Sequence, residues 1–158
     1  MIKMKVMYEA SDGKLFDKEF EARQYEILYN DIKYYRYVYN EGEISLMEQN
    51  PKDYKDVDYD SAAEAALSES EVIFLPNMEA VNAVCAYTPE YMPDFDNSSL
   101  VPHPGFYVWV ESEDSFIPVA ELIRLSDKDL ELLFLERKDL DELRIMEKAY
   151  NLENKVGL

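Results

Sequence analysis

The sequence is poor in the residues from which most compact functional motifs are built. It holds 4 glycines, 1 cysteine, 1 histidine and 1 tryptophan in 158 residues. One cysteine excludes an internal disulfide and fits a reducing compartment. So few glycines leave little backbone for a phosphate cradle, and neither G-x-x-x-x-G-K-[ST] nor G-x-G-x-x-G occurs. G-x-S-x-G and H-E-x-x-H are missing as well. No 18 apolar residues follow one another, and the opening MIKMKVMYEA interleaves lysines where a signal peptide would be continuously apolar. These absences predict a soluble, cytoplasmic protein without a membrane partner, cofactor or recognisable catalytic machinery.

Positive charge is missing from the whole middle of the chain. From Asp56 to Ile123 there is no Lys or Arg, while 14 carboxylates accumulate. They account for most of the formal net charge of −18. Such a field repels phosphate, so direct binding of DNA, RNA or anionic lipid is excluded in favour of a basic protein partner.

What is present is enough for a packed core. Hydrophobic residues make up 47% of the chain and aromatic residues 13%, placing it outside the disordered class despite its charge. A chain of this length buries roughly 68–70% of its unfolded surface. Residues 2–10 alternate roughly apolar and polar, Ser11-Asp12-Gly13 supplies a tight turn and Lys14-Leu15-Phe16 begins a return strand, which predicts a β-hairpin. A helix is expected next, with Ala22, Tyr25, Leu28, Tyr29, Ile32 and Tyr35 on one face. Tyr35, Tyr37 and Tyr39 also alternate as a strand, paired across Asn40-Glu41-Gly42 with Ile44–Met47. Ser61 and Asn77 are N-cap candidates for two helices flanking the apolar run Val72–Leu75, an interior strand.

Residues 88–105 hold four prolines without a period and predict a long loop. Phe106–Val110 reads as a strand. Helices are expected from Pro118 to Arg124, from Asp127 to about Lys138 behind a Ser126 cap, and from an Asp139 cap onward with Leu143, Met146 and Tyr150 on one side. The predicted fold class is α+β, a single domain over residues 1–158. Its sheet is largely antiparallel, with an N-terminal hairpin-helix and a helical C-terminal third.

The candidate chemistry is sparse. Asp56, Asp58 and Asp60 open like a calcium loop, but position 6 is Ser61 and position 12 is Leu67, so the required Gly and bidentate Glu are absent. Asp94-Phe95-Asp96 fails in the same way. His103 lies between two prolines, and Cys85, 18 residues before it, reads as a core cysteine beside Val81 and Val84. A nucleophile pair of Cys85 with His103 would need the fold to bring them together. The tyrosine-rich strand is more simply a half-buried packing surface than a base-stacking platform.

Asp12-Gly13-Lys14-Leu15-Phe16 followed by Glu21-Ala22 and Tyr25-Glu26 resembles a D-G-K-x-F-x-x-x-x-E-A-x-x-Y-E segment of small bacteriophage accessory proteins. The resemblance covers about a tenth of the chain. It implies a phage-type protein of a class that includes inhibitors of host enzymes and host defence. The expectation is a non-enzymatic inhibitor or modulator of a host protein, acting as an acidic nucleic-acid mimic toward a basic groove. The host partner would then be a basic nucleic-acid-binding enzyme. Extended, Asp56, Asp58 and Asp60 would line one face at about 6.6–6.8 Å intervals, compatible with a phosphate row. The alternative is an interaction module anchored by Tyr91, Phe95 and Leu100, its acidity serving solubility and steering. A second alternative is an enzyme of unrecognised type. The expected partner-binding residues are Asp56, Asp58, Asp60, Tyr91, Asp94, Phe95 and Asp96.

Overall fold

The apolar run Val72–Leu75 lies at the centre of the molecule, with all four residues no more than 4% exposed. Successive strand residues point to opposite faces, so a strand buried throughout needs a covering layer on each side. The computed structural model describes residues 1–54 and 61–156 and shows both layers.

Seven strands form two sheets among the described residues. β1 (Tyr8–Glu9) and β2 (Leu15–Phe16) make a short antiparallel hairpin. β3 (Lys33–Asn40), β4 (Glu43–Gln49), β5 (Val72–Leu75), β6 (Gly105–Val110) and β7 (Ser115–Pro118) form a five-stranded sheet of order β4-β3-β5-β6-β7. Every neighbouring pair in it is antiparallel. The chain is therefore an α+β single domain built on an antiparallel sheet.

One layer comprises α1 (Glu19–Tyr25), which runs into a wider π turn over Glu26–Asp31, with α2 (Ala62–Glu69) and α3 (Met78–Tyr87). Ile27, Leu28, Ala66, Leu67, Val81 and Val84 from this layer pack on Tyr34, Ile73, Leu75, Tyr107 and Phe116 of the sheet. The other layer comprises α4 (Val119–Leu122), α5 (Asp127–Leu132) and α6 (Arg137–Val156). There Leu122, Leu130, Leu140 and Leu143 meet Tyr35, Val72, Phe74, Phe106 and Val108. None of the helices among the described residues is long and apolar enough to cross a membrane.

The caps are where local chemistry placed them. Ser61 Oγ accepts from Glu64 N at 3.1 Å and Asn77 Oδ1 from Ala80 N at 2.9 Å, each taking one of the unpaired donors of a helix start. Gly13 turns the first hairpin at φ +93°, where a Cβ is strained. Glu41 and Gly42, at φ +53° and +84°, turn the second.

Four local expectations are corrected. The first helix ends at Asp31, and Tyr35 belongs to β3 alone. Ile32 N donates to Ile27 O at 3.0 Å, an i→i+5 bond whose wide turn puts adjacent Ile27 and Leu28 into the core. The N-terminal pairing is confined to β1 and β2 rather than running over residues 2–10. β7 answers to no expectation; it ends in Pro118, tolerated because β7 is an edge strand, and Pro118 caps α4, the short helix expected from that residue. The helix expected to reach Lys138 stops at Leu132, since Phe134 takes φ +59°, and α6 starts at Arg137, leaving Asp139 in its first turn instead of at its cap.

Candidate functional site

Central β5 is four residues long, whereas β6 has six and β3 eight. Both neighbours overrun its start, and a notch opens between them at that end of the sheet. Glu71, the residue before β5, forms its floor. Its N–H donates to Tyr35 O at 3.0 Å and its carbonyl accepts from Trp109 N at 2.9 Å. Beyond it β3 has no strand partner on this side among the described residues, and the Glu71 carboxylate accepts the Tyr37 N–H at 3.2 Å. A charged side chain thus takes the place of a ladder bond.

Two depressions meet at this floor, sharing Glu71 and Trp109. The first, about 400 Å³, is bounded by Glu69, Tyr91, Glu111 and Asp114. The second, about 240 Å³, is bounded by Tyr37, Phe134, Glu136 and Asp139. Among the described residues, six carboxylates line the pair and no Lys or Arg does. Trp109 Nε1 donates to Glu111 Oε2 at 2.8 Å, fixing the indole on the α1–α3 side of the sheet. Tyr91 approaches the indole edge-on at 6.2 Å.

Of the basic residues at the start of α6, Arg137 is engaged elsewhere, whereas Lys138 pairs with one of the six carboxylates. The Arg137 guanidinium is turned to Asp127 and to the carbonyl oxygens of Ile123 and Leu125. Lys138 pairs with Glu136 at 3.2 Å on the exposed rim. Burial pushes the Tyr37 hydroxyl up to about 12, and the charges of Asp139, Glu71 and Glu142 act the same way. Asp139 is itself raised, by burial first and then by the charge of Glu136. A half-buried carboxylate among like charges, beside aromatic faces, gains most from an arriving cation.

Of the expected partner-binding residues, only Tyr91 borders this notch. Asp56, Asp58 and Asp60 lie outside the described residues. Asp94 and Asp96 stand at the rim of a separate cavity of roughly 580 Å³, lined also by Cys85, Met92 and Phe95. Tyr91, Phe95 and Leu100 are half-buried against the two cores, so they are not the free anchors expected of loop 88–105. Cys85 is half-buried, its thiol pushed up by burial, the opposite of an activated nucleophile. His103 Nε2 lies 3.1 Å from Glu121 Oε1, and Glu121 also faces Arg124. Among the described residues, no group of three or more His, Cys, Asp or Glu is placed to hold a metal ion.

Among the described residues, the carboxylates of the acid-rich middle do not form one surface. Glu69, Glu71, Glu111 and Asp114 meet in the notch, whereas Glu79 pairs with Arg23 at 2.7 Å on α1. Glu136 and Asp139 join from the C-terminal third, which has no comparable charge excess. Comparison with protein-family models, with curated proteins and with solved structures gives no match for this chain.

Proposed function

We propose that the chain is a non-enzymatic protein-binding module whose acidic, aromatic notch receives Lys or Arg side chains of a basic partner. The observation that carries this is that six carboxylates line two depressions sharing Glu71 and Trp109, with no basic residue in the lining among the described residues. A guanidinium or ammonium group there would meet carboxylates at its head and one aromatic ring along its stem, Trp109 on one face of the sheet or Tyr37 on the other. Cation–aromatic contact is worth roughly 0.5–1 kcal/mol when exposed and about 2 when desolvated, so a few inserted side chains outweigh a diffuse surface charge. The remaining acidity speeds encounter with a positively charged surface.

The resemblance of residues 12–26 to phage accessory proteins makes a host protein the proposed partner. A nucleic-acid-binding enzyme, with Lys and Arg along its phosphate groove, is the kind of host protein such a notch fits. Inhibition would follow from occupying that groove.

Trp109 is the sole tryptophan, so its fluorescence reads the notch directly. Titration with an oligoarginine peptide at low salt is expected to change Trp109 emission saturably, while oligoglutamate leaves it unchanged. Glu71→Gln with Asp139→Asn should weaken the response about tenfold or more, the equivalent of roughly 1.4 kcal/mol, with the circular dichroism unaltered. An equal response in that variant would refute the assignment.

A further inference from the structure

Residues 1–7 stand outside both cores. Ile2 and Met4 are 95% and 94% exposed, and Val6 is 67% exposed. Ile2, Met4 and Val6 alternate with Lys3 and Lys5, the two-residue period of a strand with one apolar and one basic face. The segment leads directly into β1 yet takes no strand partner among the described residues. Lys5 meets Asp17 at 3.1 Å, an exposed pair that holds the segment only weakly.

An acceptor of matching character lies elsewhere on the same chain. β4 is the outermost strand of the main sheet, and among the described residues nothing pairs with its outer edge. It is also seven residues long, Glu43–Gln49. Its middle, Ile44-Ser45-Leu46-Met47, carries no charge, the condition under which an open edge recruits another strand. Ile44 is 59% and Met47 51% exposed, and Glu43 and Glu48 flank the apolar stretch.

We infer that residues 1–7 of one copy add as a strand to the outer edge of β4 in a second copy, reciprocally, closing a two-fold dimer. Charge selects this occupant. Two copies of a chain carrying −18 repel each other, and the segment 1–7 holds two lysines and no carboxylate, so it is where a second copy can approach. In an antiparallel register that sets Met4 opposite Leu46, Val6 faces Ile44 and Lys5 lies diagonal to Glu43, giving two apolar pairs on one face, with Glu48 opposite Ile2 at its end, and an ion pair on the other. Reciprocal exchange occupies both donor segments and both β4 acceptor edges, so assembly stops at two.

The test is the mass of the full chain by light scattering across a concentration series. The wild type is expected to move from monomer to dimer as concentration rises. Lys3→Glu/Lys5→Glu and Glu43→Lys/Glu48→Lys should each remain monomeric alone, because donor and acceptor then carry like charge. Mixed together, the two variants should form a heterodimer, because both of its reciprocal junctions then join opposite charges. A wild type monomeric at every concentration would overturn the inference, whether or not residues 1–7 are protected from proteolysis by folding onto their own chain. Dimerisation that survives both charge reversals would overturn it too. All four positions are exposed or at a strand edge, so unchanged circular dichroism separates lost association from lost folding.

Discussion

The Tyr25 hydroxyl donates to Asp12 Oδ2 at 2.6 Å, and the same carboxylate lies 2.7 Å from Lys52 Nζ. One aspartate therefore ties the hairpin turn to α1 and to the segment that follows β4. Lys52 Nζ also donates to Asn30 Oδ1 at 2.7 Å, while Ser11 N and Asn30 Nδ2 both donate to Glu26 Oε2 at 2.9 Å. Lys14 Nζ stands 4.8 Å over the Tyr25 ring, and Phe16 meets that ring at 5.1 Å. Asp12, Gly13, Lys14, Phe16, Ala22, Tyr25 and Glu26 thus all serve the packing of a hairpin on a helix. Residues 12–26 are held together by local contacts, and the notch lies elsewhere.

This knot predicts an acid-sensitive contribution to stability. Asp12 is held well below the ordinary carboxylate range, first by Lys52 and then by the Tyr25 hydroxyl. A carboxylate lowered in the folded state contributes stability that is fully present above its unfolded value and is lost as pH falls through the folded value. Thermal unfolding of the wild type and of Asp12→Asn across the acid range should therefore show the two melting temperatures converging as pH falls. A constant gap would remove Asp12 as the source.

Gly105 opens β6 at φ +130°, and a Cβ built there would collide with the Glu147 carboxylate of α6. Gly105→Ala should cost roughly 1–3 kcal/mol for the backbone alone, with the collision added. In a Glu147→Ala background the collision disappears and the backbone cost remains. Denaturant unfolding of the wild type, the two single variants and the double variant is expected to give a smaller but nonzero effect of Gly105→Ala in the Glu147→Ala background. Equal effects in both backgrounds would show that Glu147 swings away freely.

Much of this architecture was legible because its signals are local. Asp12-Gly13, the Ser61 and Asn77 caps and the apolar run Val72–Leu75 each declare a structure within a few residues, and each formed as expected. β7 escaped because Ser115–Pro118 is short and has no alternating pattern of its own, and only pairing with β6 makes it a strand. The break at Phe134 escaped because Leu-Phe-Leu carries no helix-stopping residue; the chain adopts φ +59° there to let Leu130 and Leu140 reach one core. The notch was illegible for a stronger reason. It depends on β5 being shorter than β3 and β6, which brings together Tyr37, Glu71, Trp109 and Asp139 from four distant parts of the sequence. Composition located the carboxylates without showing which of them meet.

Loop 88–105 carries its own prediction, now about stability. Tyr91 and Phe95 pack against the same core as Tyr107 and Phe116. Tyr91→Ala with Phe95→Ala should lower the denaturation midpoint, by less than twice the roughly 3–5 kcal/mol of a fully buried aromatic because both rings are only half-buried. Unchanged stability would return these rings to the role of free anchors.

Two acidic surfaces compete to explain the binding of a basic partner, and substitution by amides separates them. Asp56→Asn, Asp58→Asn and Asp60→Asn remove three charges from the stretch that reads as a phosphate row. Glu71→Gln, Glu111→Gln and Asp139→Asn remove three from the notch with little change in volume. Global steering depends on net charge and would respond equally to both triples. Contact in the notch would respond to the second alone, raising the dissociation constant for oligoarginine at every ionic strength and flattening its salt dependence. The Glu71 carboxylate accepts the Tyr37 N–H, and Gln keeps an acceptor oxygen there, so stability is expected to hold. If the first triple proves the more damaging, the row at 56–60 is the binding surface and the notch is a solvated end of the sheet.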